Sequence, residues 1–160
     1  MTKIKNSLFT LLLLVLAVQA QAQDKGTIRA SVDFLYAEAI REPGINLGAE
    51  YFVTDKISAA PNYTIFFVEG DGRFSQTNID ARYYLLKGPL QVYALAGYAS
   101  FRVSGDAGPV RVAVSDSGFN VGSGVVVPLP GPIDLNAQIK YSTPIDGQVT
   151  FQGGITYTFK

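Results

Sequence analysis

The sequence predicts an all-β fold, an eight-stranded antiparallel up-and-down barrel, on three observations. Apolar and polar residues alternate with period two in segment after segment, and Gly, Pro and Asp mark the breaks between them. The segments number eight, each of about nine to eleven residues, the length a tilted strand needs to cross a bilayer. An even count lets both chain termini lie on one side.

Strand one sets Ile28, Ala30, Val32, Phe34 and Tyr36 against Arg29, Ser31, Asp33 and Leu35. Strand two sets Ile45, Leu47, Ala49, Tyr51 and Val53 against Asn46, Gly48, Glu50 and Phe52, and the turn Thr54-Asp55-Lys56 leads into strand three, with Ile57, Ala59, Pro61, Tyr63, Ile65 and Phe67 on one face. Strand four carries Ile79, Ala81, Tyr83 and Leu85 opposite Asn78, Asp80, Arg82 and Tyr84, and strand five carries Val92, Ala94, Ala96 and Tyr98 opposite Tyr93 and Leu95. Strand six alternates Phe119, Val121, Val125 and Val127 with Asn120, Gly122, Gly124 and Val126. Strand seven sets Ile133, Leu135, Ala137, Ile139 and Tyr141 against Asp134, Asn136, Gln138 and Lys140; strand eight sets Val149, Phe151, Ile155, Tyr157 and Phe159 against Thr150, Gln152, Thr156 and Thr158. Connections after strands two, four and six are compact, while the stretch from about Phe101 to Gly118 is the longest of the others, the asymmetry of short periplasmic turns and longer outer loops. Pro61 cannot donate to a ladder, so a bulge is expected there.

Alternation alone does not say which face is inside, because a soluble lipocalin-like barrel turns its apolar residues inward around a ligand. The aromatics decide the direction. Phe34, Tyr36, Phe67, Tyr98 and Tyr141 fall at the outer ends of strands, and Tyr51, Tyr83, Tyr157 and Phe159 at the periplasmic ends. Two aromatic girdles around an aliphatic band are what the two interfaces of a bilayer select.

Residues 1–22 have the parts of a secretory signal: Lys3 and Lys5, an apolar run from Leu8 to Val18, and Ala20-Gln21-Ala22 as a cleavage site. The expected domains are a signal peptide over 1–22 and a barrel over 23–160. With 13 Lys+Arg in all and two of them in the signal, the remainder carries 11 against 13 Asp+Glu, a net −2 that disfavours nucleic acid. The chain contains no Cys and no His, which removes disulfides, thiolate metal sites and the usual general base. An enzyme and a cofactor are therefore not expected. Glu69 and Asp71 supply far fewer oxygens than the six to eight that Ca²⁺ takes, so that loop reads as a hydrated turn.

By the same parity Arg29, Asp33, Glu50, Asp80, Arg82 and Lys140 point inward, three acids and three bases whose formal charges cancel. Buried charges need partners, and an eight-stranded barrel has an interior about wide enough for side chains alone, so a structural plug is favoured over a gate across a narrow pore. Outside the bilayer, Phe101 and Val103 continue strand five, residues 104–109 turn, and Val110, Val112 and Val114 alternate with Arg111 and Ala113 on the return. The parity then slips between Ser115 and Gly118, as a bulge would require. The segment 101–118 reads as a β-ribbon able either to offer an edge to an extracellular partner or to close the barrel mouth.

The segments Asn78-Ile79-Asp80-Ala81-Arg82-Tyr83-Tyr84, Tyr93-Ala94-Leu95-Ala96-Gly97, Asn120-Val121-Gly122-Ser123-Gly124 and Gly154-Ile155-Thr156-Tyr157-Thr158-Phe159 resemble the small outer-membrane β-barrel family that includes the OmpA N-terminal domain and OmpX-type proteins. That resemblance spans 23–160. It implies an outer-membrane location and insertion by the outer-membrane assembly machinery, which reads an alternating last strand ending in an aromatic; here Phe159 is followed by Lys160. The expectation is a monomeric, non-enzymatic barrel in outer-membrane lipid with a structural or cell-surface role in envelope integrity, adhesion or partner binding. Its alternatives are a small-conductance pore gated by the interior charges and a soluble periplasmic binder of an apolar ligand.

Overall fold

The computed structural model describes residues 25–70, 72–107 and 110–159. The expected signal peptide over 1–22 and Asp71 of the acidic loop lie outside the described residues. All regular structure among the described residues is strand: β1 (Ile28–Ala37), β2 (Glu42–Phe52), β3 (Ile57–Phe66), β4 (Arg73–Leu86), β5 (Gln91–Ala107), β6 (Val110–Pro128), β7 (Ile133–Ser142) and β8 (Gln148–Phe159). Each strand pairs antiparallel with the next, and β8 returns to β1 from Ile28↔Phe159 to Ala37↔Thr150, which closes the barrel. Closure satisfies both edges of every strand in the wall, the condition for β-structure in hydrocarbon.

The parity places apolar side chains outward. Ile79 is 59% exposed and Phe34 70%, while Arg29 and Asp80 are each 1% exposed. A soluble barrel with an apolar lumen is excluded by this arrangement, because the faces are inverted.

Two expectations about register need correction. Pro61 produces no bulge: it pairs with Ile79 of β4, and the ladder to β2 keeps one register on both sides of it, Gly48↔Asn62 and Tyr51↔Ala59. Only the pairs at Ala49/Pro61 and Glu50/Ala60 are missing, both traceable to the one bond that the Pro61 nitrogen cannot donate to the Ala49 carbonyl. The bulge expected between Ser115 and Gly118 is also absent. β5 and β6 stay in one register from Gln91↔Val126 to Ala107↔Val110, so the valines change face because the chemistry of the strand inverts and not because the backbone slips. The observed irregularity lies elsewhere, between Tyr84 and Leu86 at the end of β4.

The long connection is mostly strand. β5 runs for 17 residues and β6 for 19, well beyond the 10 of β3 or β7, so the pair rises out of the wall as a ribbon. We refer to the two ends of the barrel as the ribbon end and the terminal end.

Small residues let the strands and the lumenal side chains approach. A Cβ on Gly124 would collide with the phenol of Tyr93, and one on Gly122 with the backbone of Ile139 and Lys140. The tight turn between β6 and β7 uses Gly131 at φ 109°, between two prolines.

Gly124→Val is expected to displace Tyr93 and destabilise the barrel by about 1–3 kcal/mol, the usual cost of overpacking. Gly88→Val, with open space around the added atoms, serves as the control. Urea unfolding midpoints of the refolded proteins check this, and equal midpoints for the two variants would refute it.

Candidate functional site

Every inward position is set by strand parity, so the lumen is a stack of side chains from all eight strands. At the terminal end Phe52, Tyr84, Tyr93, Leu95 and Val126 form a buried cluster, with ring centroids 5.2 Å apart for Phe52–Tyr84 and 5.3 Å for Tyr84–Tyr93. At the ribbon end Leu35, Ala37, Phe66 and Phe101 form a second cluster, with Ile40, Val68, Phe74 and Val103 packed against it. Polar and charged groups fill the space between and interleave with the terminal cluster.

Arg29 of β1 is the most connected cation. Its guanidinium donates to Thr158 Oγ1, Tyr84 Oη and Gln91 Oε1 at 3.2 Å each and to Asp134 Oδ2 at 3.3 Å, and lies 5.4 Å over the Phe52 ring. Glu50 of β2 accepts from Ser58 Oγ at 2.5 Å and Tyr84 Oη at 2.8 Å, and bridges Arg29 at 3.7 Å and Arg82 at 3.3 Å. Arg82 of β4 also reaches across to Gln138 of β7 at 3.2 Å and sits 4.8 Å over Tyr93, whose hydroxyl donates to the same Gln138 oxygen. Farther along, Lys140 of β7 spans the lumen to Asp80 of β4 at 3.6 Å, and Asp80 accepts from Asn62 at 3.0 Å. An amide chain continues from there: Asn78 donates to Asn62, and Asn120 and Gln76 donate to Asn78.

Arg29, Glu50 and Arg82 therefore form one cluster, and Asp80 and Lys140 a second. Asp33 stands apart from both, held by Asn46 at 3.1 Å and Gln152 at 3.5 Å with no cation in ion-pair reach among the described residues. Asp134 belongs to the first cluster and was not among the expected interior charges. It is 6% exposed and closes the Arg29 guanidinium from β7. With it the interior holds four acids against three bases, so the formal charges of these groups do not cancel. Its parity on the polar face of strand seven was the available signal, weakened by its place beside the Gly131-Pro132 turn.

The space left beside Arg29, Glu50, Asn62 and Arg82 is about 10 Å³, roughly the room of one water. Among the described residues no group of three or more His, Cys, Asp or Glu gathers to hold a metal.

On the outer surface Phe34, Tyr36, Phe67, Tyr98 and Tyr141 are exposed toward the ribbon end, and Tyr51, Tyr83, Tyr157 and Phe159 toward the terminal end. Tyr51 and Phe159 flank Ile28 in one row, and Tyr157 and Phe159 pack edge-on at 4.9 Å. Tyr63, Phe119 and Phe151, expected on the apolar face but outside the two girdles, are outward aromatics as well. In the ribbon Val103 is half-buried over the mouth, whereas Val112 and Val114 are exposed, with Val114 directly opposite Val103. The strands place Val110 and Arg111 opposite Ala107 and Asp106. The outer edge of β6 is paired with β7 only as far as Asn120↔Ser142, leaving its stretch from Val110 to Gly118 without a ladder partner among the described residues.

The family described as outer membrane protein beta-barrel domain matches residues 8–159. The fold is similar to the N-terminal β-barrel domain of Pseudomonas aeruginosa OprF, with a TM-score of 0.69 and 19% identity over 86% of this chain and 100% of that one. Neisserial surface protein A gives a TM-score of 0.66 at 19% identity over 83% and 96%. Ail, the attachment invasion locus protein of Yersinia pestis, in complex with the heparin analogue sucrose octasulfate, gives 0.62 at 19% identity over 84% and 99%. No curated protein sequence matches the chain. A closed eight-stranded wall with an apolar outside and a polar, filled inside, matched over nearly its whole length by this family, makes the chain a member of the outer membrane protein β-barrel domain family and an integral protein of the outer membrane.

Proposed function

We propose that the protein is a non-enzymatic, monomeric barrel with a closed lumen that serves the envelope structurally and presents the β5–β6 ribbon to a partner at the cell surface. The observation that carries the closed lumen is the 10 Å³ left beside the Arg29, Glu50 and Arg82 cluster, with Arg82–Gln138 and Asp80–Lys140 spanning the bore from β4 to β7. Ion conduction needs a continuous hydrated path, and these contacts would have to break to open one. The girdle aromatics hold the barrel at the two bilayer interfaces on this reading. Folding proceeds through the outer-membrane assembly machinery reading β8, and the ribbon end faces outward from the cell. The unpaired edge of β6 supports partner binding, since a free edge is a template for strand addition. Catalysis is disfavoured because the lumenal carboxylates are engaged by cations and amides and the chain has no His or Cys.

Three outcomes are expected. In planar bilayers the purified protein gives no defined conductance steps; steps that change in Arg82→Ala would establish the pore instead. Glu50→Gln, which leaves the buried Arg29 and the part-buried Arg82 guanidiniums without their shared carboxylate, lowers unfolding stability by about 3–5 kcal/mol, whereas Glu38→Gln in an exposed loop is neutral; equal urea midpoints would contradict the network. Replacing residues 104–113 with Asn-Gly, a register-preserving turn between Val103 and Val114, leaves the heat-dependent electrophoretic shift of a folded barrel intact. Loss of that shift would assign the ribbon to barrel closure and remove the case for partner binding.

A further inference from the structure

The outward surface is not uniformly apolar. Across β4, β5 and β6 one row reads Ile79, Tyr98, Phe119; the next toward the ribbon reads Thr77, Ser100, Ser117; the next Ser75, Arg102, Ser115; and the last Arg73, Ser104, Ala113. Within three rows the wall passes from aromatic and aliphatic to hydroxyl to guanidinium. β3 alongside stays apolar, with Tyr63 opposite Thr77 and Ile65 opposite Ser75, each close to half exposed, and Phe67 following.

These two surfaces meet in an open groove of about 720 Å³, with Tyr63, Ile65 and Phe67 on one side and Arg73, Arg102 and Ser104 on the other. Its lining includes two guanidiniums and no carboxylate. Arg73 faces Ser104 and Arg102 faces Ser75, so the two cations are diagonal neighbours on one face, close enough to share one anionic group. Among the described residues neither has a carboxylate in ion-pair reach.

We propose that this groove is a site for the phosphorylated headgroup of a membrane lipid in the leaflet at the ribbon end, with its acyl chains lying against Tyr63, Ile65 and Phe67. The inference rests on the reading that the apolar band meets lipid and adds a headgroup preference to it. Charge and shape both select this occupant. Planar guanidiniums bind phosphate oxygens in pairs, flanking hydroxyls supply further donors, and the apolar strand beside them suits a chain and not a hydrated anion. A zwitterionic headgroup would bring its own cation next to two others.

The test reconstitutes the full barrel in phosphatidylcholine vesicles doped with spin-labelled phosphatidic acid or spin-labelled phosphatidylcholine and measures the motionally restricted fraction of each. The wild type is expected to select phosphatidic acid, with the selectivity falling about fivefold for each arginine removed in Arg73→Gln and Arg102→Gln. It should weaken as salt rises and stay unchanged in Lys25→Gln at the terminal end. Equal restriction of the two lipids, or unchanged selectivity in the double variant, overturns the proposal while the heat-dependent shift shows the barrel still inserted. Failure of the wild type to insert at all overturns the lipid-facing reading together with it. Displacement of the lipid by millimolar inorganic phosphate would make the site a free-anion site and refute the lipid as its occupant.

Discussion

The rest of the structure depends on the pairing of β1 with β8. In hydrocarbon an unpaired peptide group costs several kcal/mol, so an open sheet is not viable and the chain must return on itself. Once closed at eight strands, the wall leaves a lumen of side-chain width, and every residue is committed by parity to lipid or lumen. The polar interior follows from this closure: a lumen that narrow holds few waters, so its polar groups must satisfy one another.

That requirement explains why the charges are arranged across the bore. Neighbouring strands supply some partners, as Arg29 and Glu50 show, but Arg82 with Gln138 and Asp80 with Lys140 join strands on opposite sides of the barrel. Such contacts brace the wall against flattening. The apolar cluster at the ribbon end closes off the polar section, and the aromatic cluster at the terminal end interleaves with it, so the charges lie in an enclosed lumen where electrostatic interactions are stronger and unpaired groups are costlier.

The strands and their facing were legible in the sequence because a bilayer enforces period two without exception at positions such as Ile133 to Tyr141. Cross-bore partners were not, since parity says that Arg82 and Gln138 point inward but not how strands three places apart meet in the middle. Asp134 was overlooked for a local reason, as it opens β7 immediately after a proline-rich turn. The ribbon misled in an instructive way: apolar residues at Val112 and Val114 sit on the face that is polar below them, and that chemical inversion mimics a backbone slip. Pro61 misled for the opposite reason, because a ladder can omit one bond without losing register.

That omission has a mechanical consequence. The β2–β3 contact is the only wall junction whose ladder, among the described residues, skips interior pairs while holding its register. The small space beside Arg29 and Glu50 is lined by Ala49, Ala60 and Pro61, so the gap in the ladder and the lumen adjoin at one spot. The seam there is held by one ladder bond fewer than an unbroken pairing would give, and is softer for it.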